Sequence, residues 1–265
     1  MASQLTESVG EGLVTRHGST SFFFAMSGAF LAIVLIGFTP SLYLRGMLFP
    51  DQPMPGGAVT YAHGFVMTTW FLLFFVQTGL IRRGNFQRHR QLGVAGAFVG
   101  LGVVIAAVTT SLGVVPRLKG VPGFDFASDV SAIGMGAGMT VARLFSRIVW
   151  GNLAIAFSFS VLLVLAILFR RQPAVHKRLM LIASLAALIP ALQRISRWPG
   201  LGGDAGPFWV IASALLFVPI VVHDLAVTKR VHPATLVGGG VVVFAFVAAQ
   251  FISATEFGQT FMMGL

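Results

Sequence analysis

Apolar residues in this chain do not alternate and do not recur every third or fourth position; they run on. Seven such runs stand out, at about 20–44, 61–81, 91–115, 146–169, 177–196, 207–226 and 234–255. Each is close to the roughly 20 residues that a helix needs to cross a bilayer. Polar residues gather between them, with Arg-Arg pairs at 82–83 and 170–171 and prolines at Pro116, Pro173 and Pro233. The pattern predicts an all-α, polytopic membrane protein: a bundle of seven transmembrane helices. It divides the chain into a polar N-terminal segment (1–19), the seven-helix domain (20–255) and a short C-terminal tail (256–265). The longest connection, 116–145, is too polar in its first half to span. Its Gly-rich piece, Gly134 to Gly138, reads as a surface segment, a re-entrant segment or an early turn of the fourth span. No strand precedes it, so its glycines are no dinucleotide fingerprint.

Composition agrees. Of 265 residues 56% are hydrophobic and 10% charged, against about a quarter charged in soluble domains. The mean hydropathy is +0.87. The first 20 residues are polar, so no cleavable signal peptide is expected. The absence of cysteine excludes disulfides, iron–sulfur clusters and thiolate ligands, and leaves histidine and oxygen donors for any metal.

The net charge of +10 changes meaning once it is placed on the topology. Arg16, Arg82, Arg83, Arg88, Arg90, Arg170, Arg171, Lys177, Arg178, Lys229 and Arg230 fall on one side. Arg45, Arg117, Lys119, Arg143, Arg147, Arg194 and Arg197 fall on the other. The positive-inside rule then puts the N-terminus in the cytoplasm and the C-terminus outside. The excess is a topology signal and a contact for anionic lipids, not a nucleic-acid surface. The expected location is a bacterial inner membrane.

Two hairpins repeat a phrase. Leu80-Ile81-Arg82-Arg83 is followed by His89 in "HRQLG"; Leu168-Phe169-Arg170-Arg171 is followed by His176 in "HKRLM". The repeat sets His89 and His176 at one depth on the cytoplasmic side. His223, beside Asp224 near the end of span six, joins them. Ionisable residues at membrane depth are functional candidates. His89, His176, His223 and Asp224 are therefore candidate ligands of a divalent metal, and His89 with His176 a candidate axial pair for haem b. The competing reading is that these histidines, flanked by cations, face lipid headgroups. His232 before Pro233 reads as a helix start, and His17 as part of the polar N-terminal segment. On the outer side, Tyr43, Arg45, His63 and Arg194 share a level, where a lipid headgroup, a quinone carbonyl or a small acid would bind; an ordinary interfacial belt is the alternative. Gln77 and Gln250 are expected to hydrogen-bond between helices. Gly93, Gly96, Gly100 and Gly102, with Gly238, Gly239 and Gly240, are expected to let helices pack closely, and Pro40 to kink or end the first helix.

The stretches "FTPSLYLR", "HGFVMTTWFLLFFVQTGL", "HRQLG", "HKRLM" and "HDLAVTKRVHPATL" together resemble a group of uncharacterised polytopic membrane proteins of proteobacteria, over most of the chain. That likeness implies the fold and no activity. The hairpins are more distantly similar to cytochrome b561-type proteins, which implies haem-binding histidines at His89 and His176, with His63 or His223. The chain departs from that pattern: only His63 lies near the outer face, too few for a second haem. Three function classes follow. One is a haem- or metal-associated redox protein. Another is a zinc-dependent membrane hydrolase resembling the ceramidase and adiponectin-receptor-like enzymes, although no His-x-x-x-His pair is present. The third is an accessory or lipid-binding subunit of a larger membrane complex, or a homo-oligomer. Transport ranks lower, since only Asp224 lies close to a span. A retinal protein is disfavoured because no span buries a lysine.

Overall fold

Helix boundaries follow local chemistry. The computed structural model describes residues 2–52, 54–133, 138–198 and 207–265, with side chains from residue 20 onward. Its helices are α1 (Ala2–Phe38), α2 (Arg45–Leu48), α3 (Gly57–Arg82), α4 (Phe86–Leu112), α5 (Val114–Lys119), α6 (Val141–Leu168), α7 (Pro173–Ser196), α8 (Pro207–Thr228), α9 (Pro233–Ala254) and α10 (Glu256–Met263). No strand occurs among the described residues; a single bridge pairs Asp129 with Thr140. Asn85 and Thr140 cap α4 and α6, their side-chain oxygens accepting from the Arg88 and Arg143 amides, which satisfies donors that a helix start leaves orphaned. Pro173 and Pro233 occupy first-turn positions of α7 and α9, where the missing N–H does no harm. Gly84, at φ 71°, supplies the left-handed residue that turns α3 into α4.

Seven helices are long and apolar enough to cross a membrane: Thr20–Tyr43, Gly57–Arg82, Phe86–Lys119, Val141–Leu168, Pro173–Ser196, Phe208–Thr228 and Pro233–Ala254. These are the seven expected spans, and the chain is a multi-pass membrane protein by this criterion. The turns at 83–85, 169–172 and 229–232 share one end of the bundle, here the basic end. The longer connections share the other, here the far end.

α7 stands at the centre. In its most apolar stretch 72% of residues are buried, against 11% for the span containing α4. It packs on α1, α6, α8 and α9. Around it the neighbours run α1–α3–α4–α6–α9, and Trp209 against Phe246 closes α8 onto α9 at 5.9 Å. Trp70, Phe71, Phe159, Leu162, Leu181 and Leu188 form the core. Outward, Phe65, Phe98, Phe244 and Phe251 are more than two-thirds exposed, a surface that suits hydrocarbon rather than water.

Most of the expected close-packing glycines sit at helix crossings, but Gly240 does not: a Cβ there would meet nothing within 4 Å. A Cβ on Gly100 would fall 2.5 Å from Leu163 and 3.2 Å from Trp70, and one on Gly238 2.7 Å from Ile182. Gly96 and Gly102 face Leu73 and Val66 of α3. Gly37, which the sequence did not single out, is tighter: its Cβ would lie 2.7 Å from the Ala191 carbonyl oxygen, so α1 touches the backbone of α7. Pro40 ends α1 in a five-residue π turn, Thr39–Tyr43. The short C-terminal tail 256–265 is helical: α10 folds back on α6, Met262 is buried, and the Gly258 carbonyl accepts from Trp150 Nε1 at 3.1 Å. In the 116–145 connection α5 prolongs the third span, and Gly138 lies outside α6, at φ 127°; residues 134–137 lie outside the described residues.

Candidate functional site

At the basic end the repeated phrase becomes geometry. His89 and His176 each occupy the first turn of a helix that follows a tight turn, α4 and α7. Their rings meet with centroids 6.4 Å apart and planes at 79°. His176 Nδ1 lies 2.8 Å from the Ala166 carbonyl oxygen. A carbonyl only accepts, so Nδ1 carries a proton, and in the neutral tautomer Nε2 is the nitrogen with the lone pair. His89 is fixed through its backbone, whose carbonyl accepts from Gln77 Nε2 of α3 at 3.2 Å. Its Nδ1 is buried and has no hydrogen-bond partner among the described residues. Gln77 thus bonds between helices as expected. So does Gln250, whose Oε1 accepts from Arg147 Nε at 3.3 Å.

His223 and Asp224 do not join that pair. Asp224 is fully buried and its carboxylate is already saturated. Oδ1 accepts from Arg178 Nε at 2.7 Å and from the same guanidinium's Nη2; Oδ2 accepts from Thr235 Oγ1 at 2.6 Å and the His232 amide at 3.0 Å. A carboxylate holding a guanidinium on one oxygen and two donors on the other ties α7, α8 and α9 together, and has nothing left for a metal. His223 stacks on Phe22 (4.3 Å, 19°) and meets Phe23 edge-on at 5.3 Å, while the Lys177 ammonium sits 4.7 Å over the Phe23 ring. Both His223 ring nitrogens are buried without hydrogen-bond partners among the described residues. The expected four-ligand set of His89, His176, His223 and Asp224 is therefore not assembled. Among the described residues no three histidines or carboxylates are gathered to hold a metal ion.

His232 has the helix-start role that its position implied, with a feature the sequence did not suggest. Its Nδ1 accepts from the Ala234 amide at 3.1 Å and caps α9. Burial, and then the Arg178 charge, hold its pKa below the usual histidine value, which favours the neutral ring that such a cap requires.

At the far end Tyr43, Arg45, His63 and Arg194 lie at one level but not in one cluster of contacts. The Tyr43 hydroxyl bonds Thr68 Oγ1 at 2.7 Å. Arg45 lies over Phe49 at 5.6 Å and Arg194 over Phe38 at 4.8 Å. The His63 ring turns toward the Ala106 carbonyl and is within electrostatic reach of Arg194.

Comparison with known proteins returned no family model, no curated protein and no solved structure that matches the chain.

Sequence reasoning passed over Arg178, counting it with the topology arginines. No periodic signal marked it: burial on α7 is nearly continuous from Arg178 to Leu192, so Arg178 differs from the other loop cations only in the neighbour it meets. It also passed over Ser41 and Thr110, whose hydroxyl oxygens are buried without a hydrogen-bond partner among the described residues.

Proposed function

We propose that the chain is an integral protein of a bacterial inner membrane that holds one redox-type metal centre, haem b foremost, between His89 and His176. The observation that carries this reading is the close pair of imidazoles, 6.4 Å between ring centres with planes at 79°, contributed by two separate hairpins. Two imidazoles that held one ion through metal–nitrogen bonds of about 2.0–2.1 Å would have centres within roughly 6 Å of one another. The Ala166 carbonyl supports the assignment, because a ligating histidine commonly gives its other N–H to a carbonyl that fixes its orientation. Haem is preferred to a bare divalent ion because two donors suffice for haem, whose porphyrin supplies the rest. A hydrolytic zinc site needs three protein ligands, and His223 and Asp224 are engaged elsewhere. Arg88 and Arg90 flank the pair and suit haem propionates. When bound, the haem would supply one-electron transfer at the basic end; His89 and His176 would hold its iron.

The test is a haemin titration of the purified protein in detergent, followed by absorption, beside H89A, H176A and the control H223A. The expected result is a shifted Soret band saturating at one haem per chain, lost in H89A and H176A and kept in H223A. A wild-type protein that gives no more shift than detergent alone, and carries no stoichiometric metal, overturns the reading. It would leave an accessory or lipid-binding subunit as the better description.

A further inference from the structure

The far end gathers polar groups that the metal site does not use. On the last turn of the first span Phe38 carries Arg194, and Leu42 presses its methyls on Gly64. Ser41 lies on the same turn, and its hydroxyl is buried. His63 immediately precedes Gly64; its ring turns toward the Ala106 carbonyl and is within electrostatic reach of Arg194. Thr110 is one helical turn beyond Ala106 on α4. Contacts thus link Arg194 to Phe38 and to His63, and Ser41 and Thr110 lie within about one helical turn of residues in that chain of contacts. In each of the four polar residues, one buried polar atom has no hydrogen-bond partner among the described residues: Ser41 Oγ, His63 Nδ1, Thr110 Oγ1 and Arg194 Nε.

The charge balance is as uneven as the hydrogen bonding. Asp224, the buried carboxylate among the described residues, is held by Arg178 at the other end. No carboxylate among the described residues pairs with Arg194; the face of Phe38 is what it rests on. A guanidinium at membrane depth without a counter-charge is expensive, and buried hydroxyls without partners add to that. An anion with oxygen acceptors removes both costs together, and a guanidinium with neighbouring hydroxyls matches such a group geometrically.

We propose that the far end of the bundle is an oxyanion-binding site. Arg194 supplies the charge, and Ser41, Thr110 and His63 the surrounding hydrogen bonds, for a ligand that presents one phosphate or carboxylate group. The group can belong to an anionic phospholipid whose headgroup lies at this level, or to a small anion in solution. Both present the same oxygens, so binding must be measured with each.

The experiment uses delipidated full-length protein in maltoside micelles. Inorganic phosphate, acetate and phosphatidylglycerol are titrated separately, with thermal stability as the readout and native mass spectrometry for lipid retention. Variants are R194Q, R194K, and R197Q as a neighbouring-charge control. At least one probe should stabilise the wild type and R197Q. R194Q should weaken that response roughly tenfold or more, since it removes a charge-assisted hydrogen bond, and R194K should recover part of it. A response to phosphatidylglycerol alone assigns the site to lipid; a response to phosphate or acetate assigns it to a soluble anion. No response to any probe, or an equal response in R194Q, overturns the proposal. If R194Q does not fold, S41A/T110V replaces it, and an unchanged affinity in that variant overturns the proposal equally.

Discussion

Removing the carboxylate of Asp224 should weaken the bundle more than any single apolar truncation near it. In D224A the Arg178 guanidinium would remain 2% exposed with no counter-ion. Its Nη1 bond to the Ala174 carbonyl, at 2.8 Å, satisfies one donor but not the charge. Orphaning one partner of a buried pair costs about 3–5 kcal/mol. Thr235 and the His232 amide would lose their shared acceptor as well, which places the expected loss toward the upper end of that range. The double variant R178M/D224L removes both charges and fills the space with apolar atoms. Its expected loss is only about 1–2 kcal/mol, because a buried pair is often neutral against an apolar replacement of similar volume. The assay is unfolding by dodecyl sulfate in mixed micelles, followed by fluorescence of Trp70, which is buried in the core and bonds Ser184 of α7 at 3.3 Å. If D224A lies within about 1 kcal/mol of wild type, the ion pair is not what ties α7, α8 and α9. If the double variant loses as much as the two single variants added together, the argument from orphaned charge is wrong.

Two further outcomes are expected. His232 has a folded pKa below its unfolded value, set by burial and then by Arg178. Its contribution is therefore present above the unfolded pKa of about 6.5 and lost as pH falls through the folded pKa, as protonated Nδ1 can no longer accept from Ala234. H232N, which keeps a capping acceptor without titrating, should lose less stability than wild type between neutral pH and pH 5, and parallel melting curves for the two would contradict this. G37A should push α1 from α7, because its Cβ meets the Ala191 backbone rather than a movable side chain. The expected loss is about 1–3 kcal/mol in the same unfolding assay, against almost none for G240A, whose Cβ would meet nothing within 4 Å.

Much of the architecture was legible in the one-dimensional pattern. A span must bury its backbone polar groups in its own hydrogen bonds and present apolar side chains to lipid, so length and hydropathy alone fix the number of crossings. Capping chemistry is local too, and Pro40 and Pro233 marked helix ends that the structure has. The repeat around His89 and His176 placed the two rings at one depth, because each opens the helix after an Arg-Arg turn. What the pattern did not contain was azimuth. Rotation about a helix axis depends on which neighbour lies there, and hydropathy in lipid is nearly the same all round. Hence Asp224, adjacent in sequence to His223, points to Arg178 on α7 and is consumed there, while His223 turns to Phe22. The same ignorance hid Ser41 and Thr110, unremarkable until their hydroxyls are seen to be buried.

The sequence by itself determined that seven helices cross, that the basic turns share one end, and that His89 and His176 open equivalent helices. These depend on local propensity and on the solvent that each segment demands. Only the tertiary structure decided that α7 is central, that Asp224 closes a clamp rather than a metal site, that the C-terminal residues fold back as α10, and that Arg194 stands without a carboxylate among the described residues. Those outcomes depend on which helix faces which, and that is set by shape and by the scarcity of partners inside a membrane.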